Sequence, residues 1–156
     1  MAHATRPEEH AVRRLVEHVW NDLDAAAAHE LIAPECPGLD GTGPEAVLDW
    51  HDDRRSAFPD LSYVLDDVVS GSGHAAFRWT ATGTQSGPYG PVPPTGRSAS
   101  WAGATFVRFD AKGRIDDAWS VNDLFGLVQQ LGARVEPPAP RGSTASSAKG
   151  SEDAAG

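Results

Sequence analysis

Apolar residues recur at Val12, Leu15, Val16, Val19 and Trp20, the three-and-four spacing of one helix face, and predict a helix over 8–22. Pro7 suits its first turn, and Glu8 and Glu9 complement the positive end of the helix dipole. A short second helix is expected over 25–32, stopped by Pro34. The third spans 43–58: Pro44 sits near its start, Ala46, Val47, Trp50, Arg54, Ala57 and Phe58 run along one side, and Pro59 closes it.

After Asp60 the period drops from helical to two. Residues 61–69 are rich in β-branched and aromatic side chains and end at the turn Gly71-Ser72-Gly73. Over 74–84 the chain alternates, with Ala75, Phe77, Trp79 and Ala81 on one face and Ala76, Arg78, Thr80 and Thr82 on the other. A Gly/Pro-rich connection (87–96) leads to a long strand over 97–109. The turn Asp110-Ala111-Lys112-Gly113 precedes a strand over 114–122, and an apolar helix over 123–131 completes the domain. Helices first and hairpin-linked strands afterwards define an α+β fold with an antiparallel sheet, since parallel crossovers need longer connections.

Trp50, Trp79, Trp101, Trp119, Phe77 and Phe106 all fall on elements that should pack together. A curved sheet wrapped on helices either fills its concavity with such rings or leaves a ligand cavity lined by them, so each is a candidate for core or for substrate contact. Arg78 is interleaved with this aromatic set, and His51 lies beside Trp50 at the margin of the apolar stripe, either structural or a pocket donor. Simple alternation puts Trp119, Val121 and Asp123 on one face. Asp123 has two readings that are not exclusive. It is a good N-cap for the last helix, and, if enclosed, a carboxyl group whose charged form is disfavoured and which suits proton transfer near neutral pH.

Composition narrows the functional classes. The formal net charge is −9 and the basic residues are scattered, which argues against a nucleic-acid surface. No run approaches the ~18 apolar residues of a membrane span, and the N-terminus lacks the apolar core of a signal peptide, so a cytoplasmic protein is expected. The single cysteine, Cys36, excludes an internal disulfide, and no histidine pair has convincing metal-ligand spacing. From 136 to 156 there is almost nothing apolar of any size, so 1–135 reads as one domain and 136–156 as a disordered tail.

Four blocks carry a resemblance. Phe58-Pro-Asp-Leu61, Arg78-Trp-Thr-Ala-Thr-Gly-Thr84, Pro94-Thr-Gly-Arg97, and the stretch from Asp110 through Trp119 and Asp123 to Gln130-Leu-Gly132 stand in register over 12–132. Together the chain resembles the SnoaL-like polyketide cyclases of the nuclear transport factor two-like superfamily. That resemblance implies an α+β barrel with a cone-shaped pocket, commonly paired as a homodimer. It also implies aldol-type ring closure of a polyketide by an aspartate at the end of the last strand, with no metal, nucleotide or Schiff base. The matching residue is Asp123, and stacking on Trp119, Trp79 and Trp101 would suit a flat conjugated substrate.

Two departures stand out. Gln85 occupies a place where many relatives carry His; it cannot act as acid or base but can hydrogen-bond a substrate oxygen. The loop after Ala33-Pro34 reads Glu35-Cys-Pro-Gly-Leu39 instead of carrying an aromatic and a His. Alternatives on the same scaffold are an epoxide hydrolase, for which Arg78 and Asp123 would need a second carboxylate such as Asp117 or Asp66, a ketone isomerase, or a non-catalytic accessory protein of an oxygenase.

Overall fold

A computed structural model describes residues 6–38, 41–134, 136 and 137; the expected tail lies, from 138 onward, outside the described residues. Helix α1 (Pro7–Arg14) continues without a break as a π-helical segment, Leu15–Asn21, and together they cover the first expected helix. Leu15, Val16, Val19 and Trp20 are all buried along it. Helix α2 (Ala25–Leu31) is capped by Asp24, whose carboxylate accepts from the Ala27 N–H at 3.1 Å. Two-residue strands β1 (Pro37–Gly38) and β2 (Gly41–Thr42) form a small hairpin leading into α3 (Gly43–Ala57).

Strands β3 (Ser62–Gly71), β4 (His74–Thr84), β5 (Ser98–Phe109) and β6 (Ile115–Asn122) form one antiparallel sheet in that order. The register shifts between Leu65 and Asp67 and again between Arg108 and Phe109, irregularities that bend the outer strands. Helix α4 (Leu124–Gln130) folds back on β5, where the Gln130 amide accepts from Ser100 N–H at 2.9 Å and donates to Ser100 O at 2.8 Å. The helices cover the concave face of the sheet, giving the α+β cone that the element order implies.

The join between helices and sheet is polar and specific. The Asn21 amide donates to Tyr63 O at 2.9 Å and accepts from Tyr63 N–H at 2.8 Å, as a strand partner would. Arg55 reaches across from α3 to the carbonyls of Trp20, Asn21 and Leu61, satisfying the end of the π segment. These bonds set where Trp20 and Tyr63 stand. On the facing strands, Gly103 is paired with Trp79, and a Cβ there would lie 2.2 Å from the indole ring. Only glycine lets that ring lie flat across β5.

Candidate functional site

Between the π segment, α3 and the concave face of the sheet lies a cavity of about 460 Å³, within the range that holds a small organic ligand. The π segment contributes Leu15 and Trp20, and α3 contributes Val47, Trp50, His51 and Arg54. Tyr63 and Trp79 come from β3 and β4, Thr105 and Val107 from β5. Ala118, Ser120 and Asn122 come from β6, with Cys36 at the end nearest the small hairpin.

Trp20 is the centre of the aromatic wall. Its ring stacks on His51 at 5.0 Å and meets Tyr63, Phe77 and Trp79 at 5.2, 5.6 and 5.8 Å. The Trp79 indole N–H donates to Thr105 Oγ at 3.0 Å, and the Thr105 and Ser120 hydroxyls share a hydrogen bond of 2.8 Å. Three other polar atoms of the lining are buried without a partner: His51 Nδ1, the Tyr63 hydroxyl and Asn122 Oδ1. An isolated buried polar group is costly, so three around one cavity mark a surface suited to a ligand with donors and acceptors of its own.

Three ionisable groups of the lining, His51, Tyr63 and Cys36, are held neutral. His51 is 2 % exposed, and burial, aided by the positive charges of Arg54 and Arg55, pushes it down to about 3. Burial pushes Tyr63 up to about 12, against the opposing pull of the same two arginines. Burial, reinforced by Asp117, Asp116 and Glu35, raises the Cys36 thiol to about 11, which leaves it a poor nucleophile at neutral pH.

Of the residues expected from the sequence to form the site, Trp50, His51 and Trp79 line the cavity together. Trp119 borders it from the edge strand, yet is 59 % exposed and packs on Phe106 at 5.5 Å across the outer face of the sheet. Phe106, half exposed, lies on that outer face with Arg78, which pairs in register with Asp67. Phe77 and Trp101 are core residues outside the lining; Trp101 packs on Phe58 at 5.3 Å. Gln85 is wholly buried but fully engaged. It donates to Val92 O and Pro93 O and accepts from the Thr95 amide and hydroxyl, so it braces the 85–97 loop and has nothing left for a substrate.

Asp123 also stands outside the lining. Its exposed carboxylate accepts from the Gly126 N–H at 2.8 Å and caps α4, the other of its two sequence readings. Alternation put Asp123 on the face of Trp119 and Val121, and the register shows which face of the sheet that is. Thr105 and Val107, which line the cavity, pair with Ser120 and Ala118, so the inward set of β6 is Ala118, Ser120 and Asn122, and Trp119 and Val121 point outward. Trp20, Tyr63, Thr105, Ser120 and Asn122 were not singled out by sequence reasoning as site residues. The signal for Tyr63 and Asn122 was present in strand alternation, once the inward face of the sheet is known.

A single α+β cone with a half-open, mainly apolar cavity and a few convergent polar atoms has the form of the small-molecule-binding domains. The family model for SnoaL-like polyketide cyclases matches residues 10–131, and the chain belongs to that family. No curated protein sequence gives a match. Among solved structures, IdmH of Streptomyces antibioticus, described as a candidate polyketide cyclase, is 28% identical over 82% of this chain and 100% of its own, with a TM-score of 0.70. TsrD of Streptomyces laurentii is 27% identical over 85% of this chain and 100% of its own, at 0.73. AclR of Streptomyces galilaeus, described as a candidate hydroxylase, shares the fold at 23% identity, over 83% of this chain and 98% of its own, at 0.68.

Proposed function

We propose that this protein binds a flat, polyketide-like small molecule in the cavity and promotes an aldol-type ring closure by positioning it and polarising its reacting carbonyl. The observation that carries this reading is the Tyr63 hydroxyl, buried among aromatic rings and lacking any protein acceptor. A phenol held in its protonated form is a hydrogen-bond donor over the whole working pH range. It stabilises the oxygen that gains negative charge as the enol carbon attacks the carbonyl carbon. Trp20, Trp50 and Trp79 exclude water and hold the two reacting carbons together. The closure moves a proton and forms one carbon–carbon bond with no change in oxidation state, so it calls for no cofactor. Among the described residues the lining includes no Asp or Glu, which speaks against the two-carboxylate epoxide hydrolase.

The test uses purified protein with a planar aromatic compound bearing an activated methylene and, at six-membered-ring separation, a ketone carbonyl, followed by chromatography and mass spectrometry for the ring-closed isomer. Tyr63→Phe is expected to lower turnover by about 10²–10³-fold while the unfolding midpoint holds, the usual effect of deleting one oxyanion donor. Asp123→Asn keeps the cap, because Asn caps as well as Asp, and is expected to turn over within about twofold of wild type. A loss of about 10²-fold or more in Asp123→Asn would return proton transfer to that carboxylate. Binding without any turnover would make the protein a carrier.

The homodimer fits the outer face of the sheet. Val69, Ala76, Phe106 and Trp119 form one cross-strand row there, and Val64 and Val121 extend it; all but Ala76 are strongly exposed for apolar side chains. Trp119→Lys is expected to convert a sedimenting dimer to monomer without loss of fold. A wild-type monomer would end the proposal.

A further inference from the structure

Among the described residues, the one charged side chain of the cavity lining is a cation. Arg54 lies over the Trp50 ring, its Cζ 3.8 Å from the centroid, so the guanidinium is held by the aromatic wall and does not sweep through solvent. Among the described residues it makes no ion pair, although Arg14, Arg108 and Arg114 all do. Among the described residues no carboxylate lines the cavity, although the chain as a whole carries a net charge of −9. His51 and Tyr63, which line the same cavity, feel the charge of Arg54 together with that of Arg55. A guanidinium stacked on one face leaves its in-plane N–H groups directed outward in a fork that matches a carboxylate. The same cavity is lined by the Tyr63 hydroxyl, His51 Nδ1 and Asn122 Oδ1, unpartnered and neutral, which suit ketone or hydroxyl oxygens and do not compete for the charge.

We propose that the ligand of this cavity carries a carboxylate that pairs with Arg54, so that the protein selects acidic planar molecules over their neutral esters. The inference rests on the cavity being the ligand site, as proposed above, and adds the charge of what enters it. In this arrangement Trp50 serves twice: its face holds the arginine, and its edge contributes to the apolar wall. An anion docked at α3 would be oriented with its far end toward Tyr63 and β6.

The test is calorimetric titration at neutral pH with two matched pairs, 2-naphthoate with its methyl ester and anthracene-2-carboxylate with its methyl ester. The acid is expected to bind at least tenfold more tightly than the ester in one or both pairs, with a preference that shrinks as salt is raised. Arg54→Gln should erase the preference by weakening the acid and leaving the ester within about twofold; Arg54→Lys should keep part of it, as a charge without the fork. Circular dichroism of both variants checks that the fold is intact. Esters binding as tightly as acids, or an unchanged preference in Arg54→Gln, overturns the proposal while leaving the cavity reading in place. No binding of any of the four probes overturns both.

Discussion

Trp20→Ala is expected to remove about 3–5 kcal/mol of folding stability, the range for truncating a buried aromatic. Against a typical total of roughly 5–15 kcal/mol, that is enough to leave the domain marginal. The residue is 7 % exposed and touches four rings from three different elements: His51 on α3, Tyr63 on β3, and Phe77 and Trp79 on β4. Its neighbours cannot all collapse into the vacated space. Tyr63 is tied to Asn21 on both sides of its peptide, and Trp79 is tied to Thr105. The cost therefore includes a cavity term as well as the lost transfer energy. Because Trp20 also lines the ligand cavity, the variant should lose binding as well as stability. Chemical denaturation followed by far-ultraviolet circular dichroism reads the first effect, with Trp20→Phe recovering most of it. A loss below about 1 kcal/mol would mean that the aromatic cluster is not what joins helices to sheet.

Acidification from pH 7 to pH 5 is expected to cost the native state about 2 kcal/mol through His51 alone. The direction follows from which state binds the proton. In the unfolded chain His51 takes up a proton near the ordinary histidine value of about 6.5; in the folded protein it stays neutral until about 3. Between those limits the unfolded state holds more protons, so stability rises with pH. The contribution is complete above about 6.5 and is lost progressively as pH falls toward 3. The cause is burial among Trp20, Trp50 and Tyr63, with two arginines adding repulsion. The pairs His18–Asp22 and His29–Glu45 lie exposed on the surface, where solvent screens them and each contributes little. Denaturant midpoints measured at half-unit steps should show the slope in wild type and not in His51→Gln. An equal slope in the two proteins would assign the acid sensitivity elsewhere.

The two experiments probe one cluster from two sides, and the cluster shows how far the sequence could be read. Helix and strand limits were legible because the information is local. Val12, Leu15, Val16, Val19 and Trp20 fall on one helical face whatever they pack against, and Pro34, Pro59 and the Gly71–Gly73 and Asp110–Gly113 turns punctuate the chain. The strand ends on β4 were read to the residue. The π-helical form of 15–21 was not legible, because its apolar spacing also satisfies an ordinary helix.

Site residues were legible only where the composition of a strand gives away its inner face. On β4 the outward partners are Arg78, Thr80 and Thr82, so Phe77 and Trp79 are inward by contrast. On β6 the contrast is inverted. The larger apolar residues, Trp119 and Val121, face out, while Ala118, Ser120 and Asn122 face the cavity, so alternation grouped Asp123 with Trp119 and Val121 but could not say which way that group faces.

A period of two sorts a strand into two sets, and the sequence by itself determined those sets, the order of the elements and the family. Which set lies beneath the helices depends on pairing across the sheet and on where α1 and α3 land, contacts between residues far apart in the chain. Only the tertiary structure decided that. It put Arg54, Tyr63 and Asn122 around one cavity, and it left Asp123 capping a helix, because side chains meet by the geometry of the whole sheet and not by their spacing along one strand.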